Sequence, residues 1–227
     1  MKYPFIFPMK RSERIMGCVC ILIHAVVLPE ILAFLLGIYA PGITAPYYML
    51  VFNTSCFLLI LIVMFRYLRE SFSDFISGFW RAIQSVILGI VLYYALFWAV
   101  TIFLTSLMMT ANPNTQAFYA SLNKNFNVML IVSVVLAPIV EEAMYRGALF
   151  GTIRQKSRLL AYLVSIMLFS LAHLWRFLLF GYSWDVLLLL LQYVPASIAL
   201  AWCYERGGTI WAPILLHSAI NLTALFI

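Results

Sequence analysis

Long apolar runs follow one another along the chain, each interrupted by proline, glycine or a cluster of charge. They predict helices at roughly 15–39, 47–67, 82–109, 126–152, 158–180, 186–204 and 209–226. The runs do not alternate in polarity, so they do not read as barrel strands. In lipid, only a helix satisfies the backbone polar groups within its own segment. About 20 apolar residues cross a hydrocarbon core of about 30 Å. The expectation is an all-α, polytopic membrane helix bundle of about seven transmembrane helices, within a range of roughly six to eight. It is read as one transmembrane domain over 1–227, with N-terminal spans in 1–125 and a C-terminal helical core in 126–227.

Composition agrees with lipid as the solvent. Of 227 residues, 65% are hydrophobic and 10% are charged, against roughly half and a quarter in a soluble domain. Cys18, Cys20, Cys56 and Cys203 are scattered through apolar runs with neither metal-like nor disulfide-like spacing, and read as small buried hydrophobes. Lys2, Lys10, Arg11 and Arg14 precede a run from about Ile15 to Tyr39. That run is too long for a signal h-region and no A-x-A site follows, so it is expected to be a retained first span.

The net charge of +6 follows from placement. With seven spans, 12 of the 14 Lys and Arg fall at the N-terminus, at 66–81, at 146–158 and at 205–208, all on one side. Lys124 and Arg176 fall on the other. This bias puts the N-terminus in the cytoplasm. The basic residues then serve as topology signals and contacts to anionic lipid headgroups, not to nucleic acid. The expected location is a membrane that the chain crosses several times, with the N-terminus on the cytoplasmic side.

Polar groups inside the runs are the informative ones, because an ionisable residue at mid-membrane costs about 2.5–3.5 kcal/mol on the insertion scale. Residues 137–147 read Ala-Pro-Ile-Val-Glu-Glu-Ala-Met-Tyr-Arg-Gly. Glu141 and Glu142 diverge by about 100° on a helix. Glu142 and Arg146 are four apart on one face, in the favourable order. Pairing there leaves Glu141 facing elsewhere, placed to act as general base or acid. Pro138 should loosen the helix one turn earlier and free carbonyls into the same cavity. The plainer reading is a structural salt bridge near the cytoplasmic end. The next helix carries Phe169-Ser-Leu-Ala-His173, and the last His217-Ser-Ala-Ile-Asn221, with both polar groups on one face. Taken singly, each suits a hydrogen-bonded packing role. Counting about 1.5 Å per residue from the cytoplasmic charges puts Glu141, His173, His217 and Asn221 at comparable depth, which favours one shared site. His24, Pro29 and Glu30 in the first run read mainly as packing or cavity residues. Arg176 reads as snorkelling to the outer interface. Trp175, Tyr182 and Trp184 read as an aromatic belt, and Gly207-Gly208 as a tight turn.

In these three segments the chain resembles the CAAX-protease and bacteriocin-processing (CPBP, or Abi) family of intramembrane proteases, whose pattern is E-E-x-x-x-R, F-x-x-x-H and H-x-x-x-N. The resemblance covers about 130–227 and extends to Ala-Pro before the glutamates and Gly147 after the arginine. It implies that Glu141 and His173 activate a water, that His217 and Asn221 hold the water or the carbonyl oxygen, and that Glu142 and Arg146 hold the motif in place. The implied substrate is a membrane-associated or lipidated peptide. Two histidines and a glutamate also form a hydrolytic zinc set with water. The resemblance thus admits a divalent metal on Glu141, His173 and His217, while a metal-free glutamate mechanism uses the same residues. Two other readings stay open: a non-proteolytic immunity or scaffold protein of this fold, and a small proton-coupled transporter.

Overall fold

The computed structural model describes residues 8–109, 111–179 and 186–226; Lys2, Tyr182 and Trp184 lie outside them. The described chain is helical, in eight helices: α1 Arg11–Tyr39, α2 Ala45–Ser77, α3 Phe79–Ser106, α4 Pro113–Lys124, α5 Phe126–Arg154, α6 Arg158–Leu179, α7 Leu187–Gly207 and α8 Trp211–Ala224. Six of them, all but α4 and α8, are long and apolar enough to cross a membrane. Ile62 is 82% exposed and Ile102 68% exposed on outer faces, as a lipid-facing surface requires. The order from outside to inside is clear from burial. Only 6% of the most apolar stretch of α3 is buried, against 50% of that of α5. The glutamate-bearing helix is therefore the innermost.

Three differences from the sequence reading have local causes. Residues 66–81, expected as a connection, are helical except for Gly78 between α2 and α3. The charges that suggested a loop are paired instead, Arg66 with both Glu13 and Glu70, so the helix runs on past the apolar zone. A helix also fills the interval after 109. Asn112 caps α4 by accepting from the Asn114 and Thr115 amides at 2.9 and 3.3 Å, and Pro113 occupies the first helical position. The last run forms only 14 helical residues, about 21 Å at 1.5 Å per residue. It is shorter than a full span.

Proline shapes two of the helices in the same way. In α1 a π-helical segment, Ile23–Val27, ends two residues before Pro29; in α5 another, Val132–Leu136, ends two residues before Pro138. Proline has no N–H and clashes with the carbonyl of the preceding turn. Widening by one residue lets the ladder pass: Leu28 N–H reaches Ile23 O, and Ala137 N–H reaches Val132 O. A third π segment, Ala143–Phe150, follows the glutamates directly. Such segments are uncommon and concentrate at functional sites.

Close packing holds α1 against α5. A Cβ on Gly17 would lie 2.6 Å from the Ala148 Cβ, so only glycine allows this approach. Gly208, at φ 74°, makes the left-handed turn after α7. Thr209 Oγ1 donates to Ser71 O at 2.7 Å, and the Ile210 amide donates to Ser71 Oγ at 2.9 Å. These bonds fix the start of α8 and hence the register of His217. At the basic ends of α5 and α6, Glu205 gathers Arg154, Arg158 and Tyr162.

Candidate active site

Adjacent positions on α5 part company, as a 100° turn requires. Glu142 faces inward and is fully buried. Its Oε1 accepts from Arg146 Nη1 at 3.0 Å and from His217 Nδ1 at 2.9 Å. Arg146, also fully buried, reaches Ser197 Oγ at 3.3 Å and lies 4.2 Å from the Phe169 ring centroid. A buried guanidinium thus has a carboxylate, a hydroxyl and an aromatic face around it, which offsets its desolvation.

Glu141 faces the other way, and its Oε2 is buried with no hydrogen-bond partner. It lines a chamber of about 520 Å³ between α1, α2, α4, α5 and α6, together with His173, His24, Tyr145, Asn114 and Arg176. Met49, Ala117, Ala172 and Phe177 supply apolar wall. The size is that of a small-ligand site.

His173 Nδ1 lies 2.8 Å from Phe169 O. A carbonyl only accepts, so Nδ1 carries the proton and Nε2 of the neutral ring is an acceptor. The ring lies between Phe169, at 4.8 Å between centroids, and Tyr193, at 4.5 Å and 30°. Tyr193 is itself fixed by Asn112 and Asn114 of α4, at 3.2 and 3.1 Å from its hydroxyl. The helix that the sequence reading missed therefore anchors the ring behind a candidate catalytic histidine.

Asn221 Nδ2 donates to Ser133 O at 2.8 Å. Ser133 sits five residues before Pro138, where a π-register bond from residue 138 would land. The carbonyl that proline leaves without its donor is the one Asn221 engages.

The six candidate residues thus fall into two linked groups. Glu141 and His173 share the chamber. Glu142, Arg146 and His217 form a buried cluster behind it, and Asn221 is tied to the widened turn of α5. Phe169 joins the groups, with His173 at 4.8 Å and His217 at 6.1 Å between ring centroids. Among the described residues no three His, Cys, Asp or Glu side chains gather as a metal set. Glu141, His173 and His217 therefore do not fit a shared ion in this arrangement, and no step is derived through one.

Sequence reasoning underrated the first helix. His24 enters the chamber from its π segment, and Arg176, read as snorkelling, pairs with Glu30 at the chamber wall. Glu30 follows Pro29 directly and His24 lies five residues before it, the same signal that marked Pro138. Tyr145, inside the motif at an unspecified position, was passed over.

Residues 123–223 match the family model of type II CAAX prenyl endopeptidase, Rce1-like. UPF0177 protein YaiF of Lactococcus lactis subsp. lactis (strain IL1403) is 38% identical over 96 residues, 41% of this chain and 37% of that protein. The candidate membrane peptidase YdiL of Bacillus subtilis (strain 168) is 32% identical over 111 residues, 48% of this chain and 41% of that protein. UPF0177 protein YbdI of the same Lactococcus lactis strain is 30% identical over 114 residues, 50% of this chain and 56% of that protein. The matches thus span between about a third and a little over half of the relatives' own lengths. No solved structure matches the chain. The matched segment contains all six motif residues, from Glu141 to Asn221, so the similarity to the type II CAAX prenyl endopeptidase, Rce1-like, family model covers the whole candidate site.

Proposed function

We propose that the chain is an intramembrane endopeptidase that hydrolyses a peptide bond of a membrane-associated or lipidated peptide with a water activated by Glu141 and His173. The observation that carries this reading is the pairing of an unpartnered, buried Glu141 Oε2 with the open Nε2 acceptor of His173 along one chamber. The water donates one hydrogen bond to each acceptor. Glu141 takes its proton as the oxygen attacks the carbonyl carbon, and a tetrahedral oxyanion forms. Glu141 then returns the proton to the amide nitrogen, and the C–N bond breaks. His217, held at Nδ1 by Glu142, is assigned the oxyanion side of the site. Asn221 has a second amide hydrogen for the same purpose. Glu142 and Arg146 position His217 and do not touch substrate.

The helix order and the basic ends support a cytoplasmic N-terminus in a prokaryotic plasma membrane. Lipid headgroups are partners of the basic ends.

The test is cleavage of quenched-fluorescence peptides by the purified chain in liposomes. One set carries a farnesylated cysteine near the C-terminus and the other carries no lipid. Wild type should cleave at least one set, and Glu141→Gln, His173→Ala and His217→Ala should not. A wild type inert to both sets, or an undiminished Glu141→Gln, overturns the reading. The second of these outcomes favours an immunity or scaffold role for the same fold.

A further inference from the structure

Besides Glu141 Oε2, two other residues that line the chamber carry a buried polar atom without a hydrogen-bond partner: His24 at Nδ1 and Tyr145 at its hydroxyl. Tyr145 is 1% exposed, and its ring packs edge-on to Phe169 at 5.5 Å and 89°. The hydroxyl is therefore aimed by packing, since the ring cannot turn freely. His24 is held by its ring too, 5.1 Å from the Phe52 centroid. It lies within electrostatic reach of both Glu141 and His173.

A buried polar group without a partner costs free energy, and such groups are rarely kept without a use. Here three of them, from α1 and α5, belong to residues that line one space. Their chemistry selects the complement. A hydroxyl donates and accepts, an imidazole nitrogen does one or the other, and a peptide backbone offers N–H and C=O groups in alternation. A hydrocarbon tail offers neither. The apolar wall at Met49, Ala172 and Phe177 suits the side chains that flank such a backbone.

We propose that His24 and Tyr145 bind the backbone of the peptide substrate in the chamber, beside Glu141 and His173. The proposal rests on the hydrolase reading for its substrate class. It adds a substrate contact from α1, a helix outside the segment that matches the family model. His24 lies in the π segment that precedes Pro29 and lines the chamber from there.

The test compares wild type with His24→Phe, His24→Asn and Tyr145→Phe, using the peptide that wild type cleaves best. Phenylalanine at 24 keeps a ring against Phe52 and removes both nitrogens, whereas asparagine restores a polar atom near the Nδ1 position. Loss of one hydrogen bond should raise KM about five- to tenfold in His24→Phe and in Tyr145→Phe, with kcat little changed. His24→Asn should recover at least half of the loss. Each variant is also given a fluorescent peptide in the Glu141→Gln background, and Kd is read by anisotropy without turnover. Unchanged KM and Kd in His24→Phe overturn the proposal and leave the hydrolase reading standing. Binding without any cleavage sinks the hydrolase reading, while a Kd raised in His24→Phe and recovered in His24→Asn still supports the contact. A wild type that binds no peptide overturns both.

Discussion

Arg146 Nη1 and His217 Nδ1 donate to the same carboxylate oxygen, Oε1 of Glu142, at 3.0 and 2.9 Å. One buried carboxylate thus joins a cation on its own helix to an imidazole on the last one. Removing it strands a fully buried guanidinium. Glu142→Ala should destabilise the protein by about 3–5 kcal/mol, read as a lowered unfolding midpoint in detergent. Glu142→Gln, which keeps an acceptor, should lose less. Equal midpoints for wild type and Glu142→Ala would remove the structural role.

Glu141 predicts the opposite profile. Its free oxygen contributes no internal bond, so Glu141→Gln should keep the unfolding midpoint of wild type. Cleavage should fall by about 10²- to 10⁴-fold, the usual contribution of a positioned general base. The two neighbouring glutamates are thereby separated by two measurements on two single variants.

Pro138→Ala returns an N–H to the turn that Pro138 widens. That donor competes with Asn221 Nδ2 for the carbonyls of the preceding turn, Ser133 O among them. We expect a helix at least as stable as wild type, together with cleavage lowered about ten- to a hundredfold as Asn221 and its neighbours shift. Parallel unfolding and cleavage measurements check it; a fully active variant would show that the widened turn is dispensable.

Because the proposed chemistry runs through a carboxylate and an imidazole, cleavage should persist after dialysis against EDTA and 1,10-phenanthroline. Activity lost with chelator and restored by zinc would require His173 and His217 to bring their Nε2 atoms to a common ion.

The sequence showed the chemistry more readily than the scaffold around it. Glu142–Arg146 follows from a spacing of four, and the divergence of Glu141 from Glu142 follows from helical geometry alone. The loosening at Pro138 was legible, because a proline's missing donor is a local fact. The engagement of Glu142 by His217 was not, since no periodicity relates helices 75 positions apart in the chain. Helix α4 was hidden by its polarity, although Asn112-Pro113 is a cap-and-start signal that could have revealed it. His24 reads in one dimension mainly as a packing or cavity residue, and Tyr145 carries no signal of its own. Only the fold brings them to the wall that Glu141 occupies.

The proline-marked widening of α1 and α5 has one more consequence. A gap made by an absent hydrogen atom on nitrogen is written into the covalent structure and does not wait for a guest. The widened turns are therefore in place from the moment the helices assemble, and under the proposed function a substrate would meet polar groups already set.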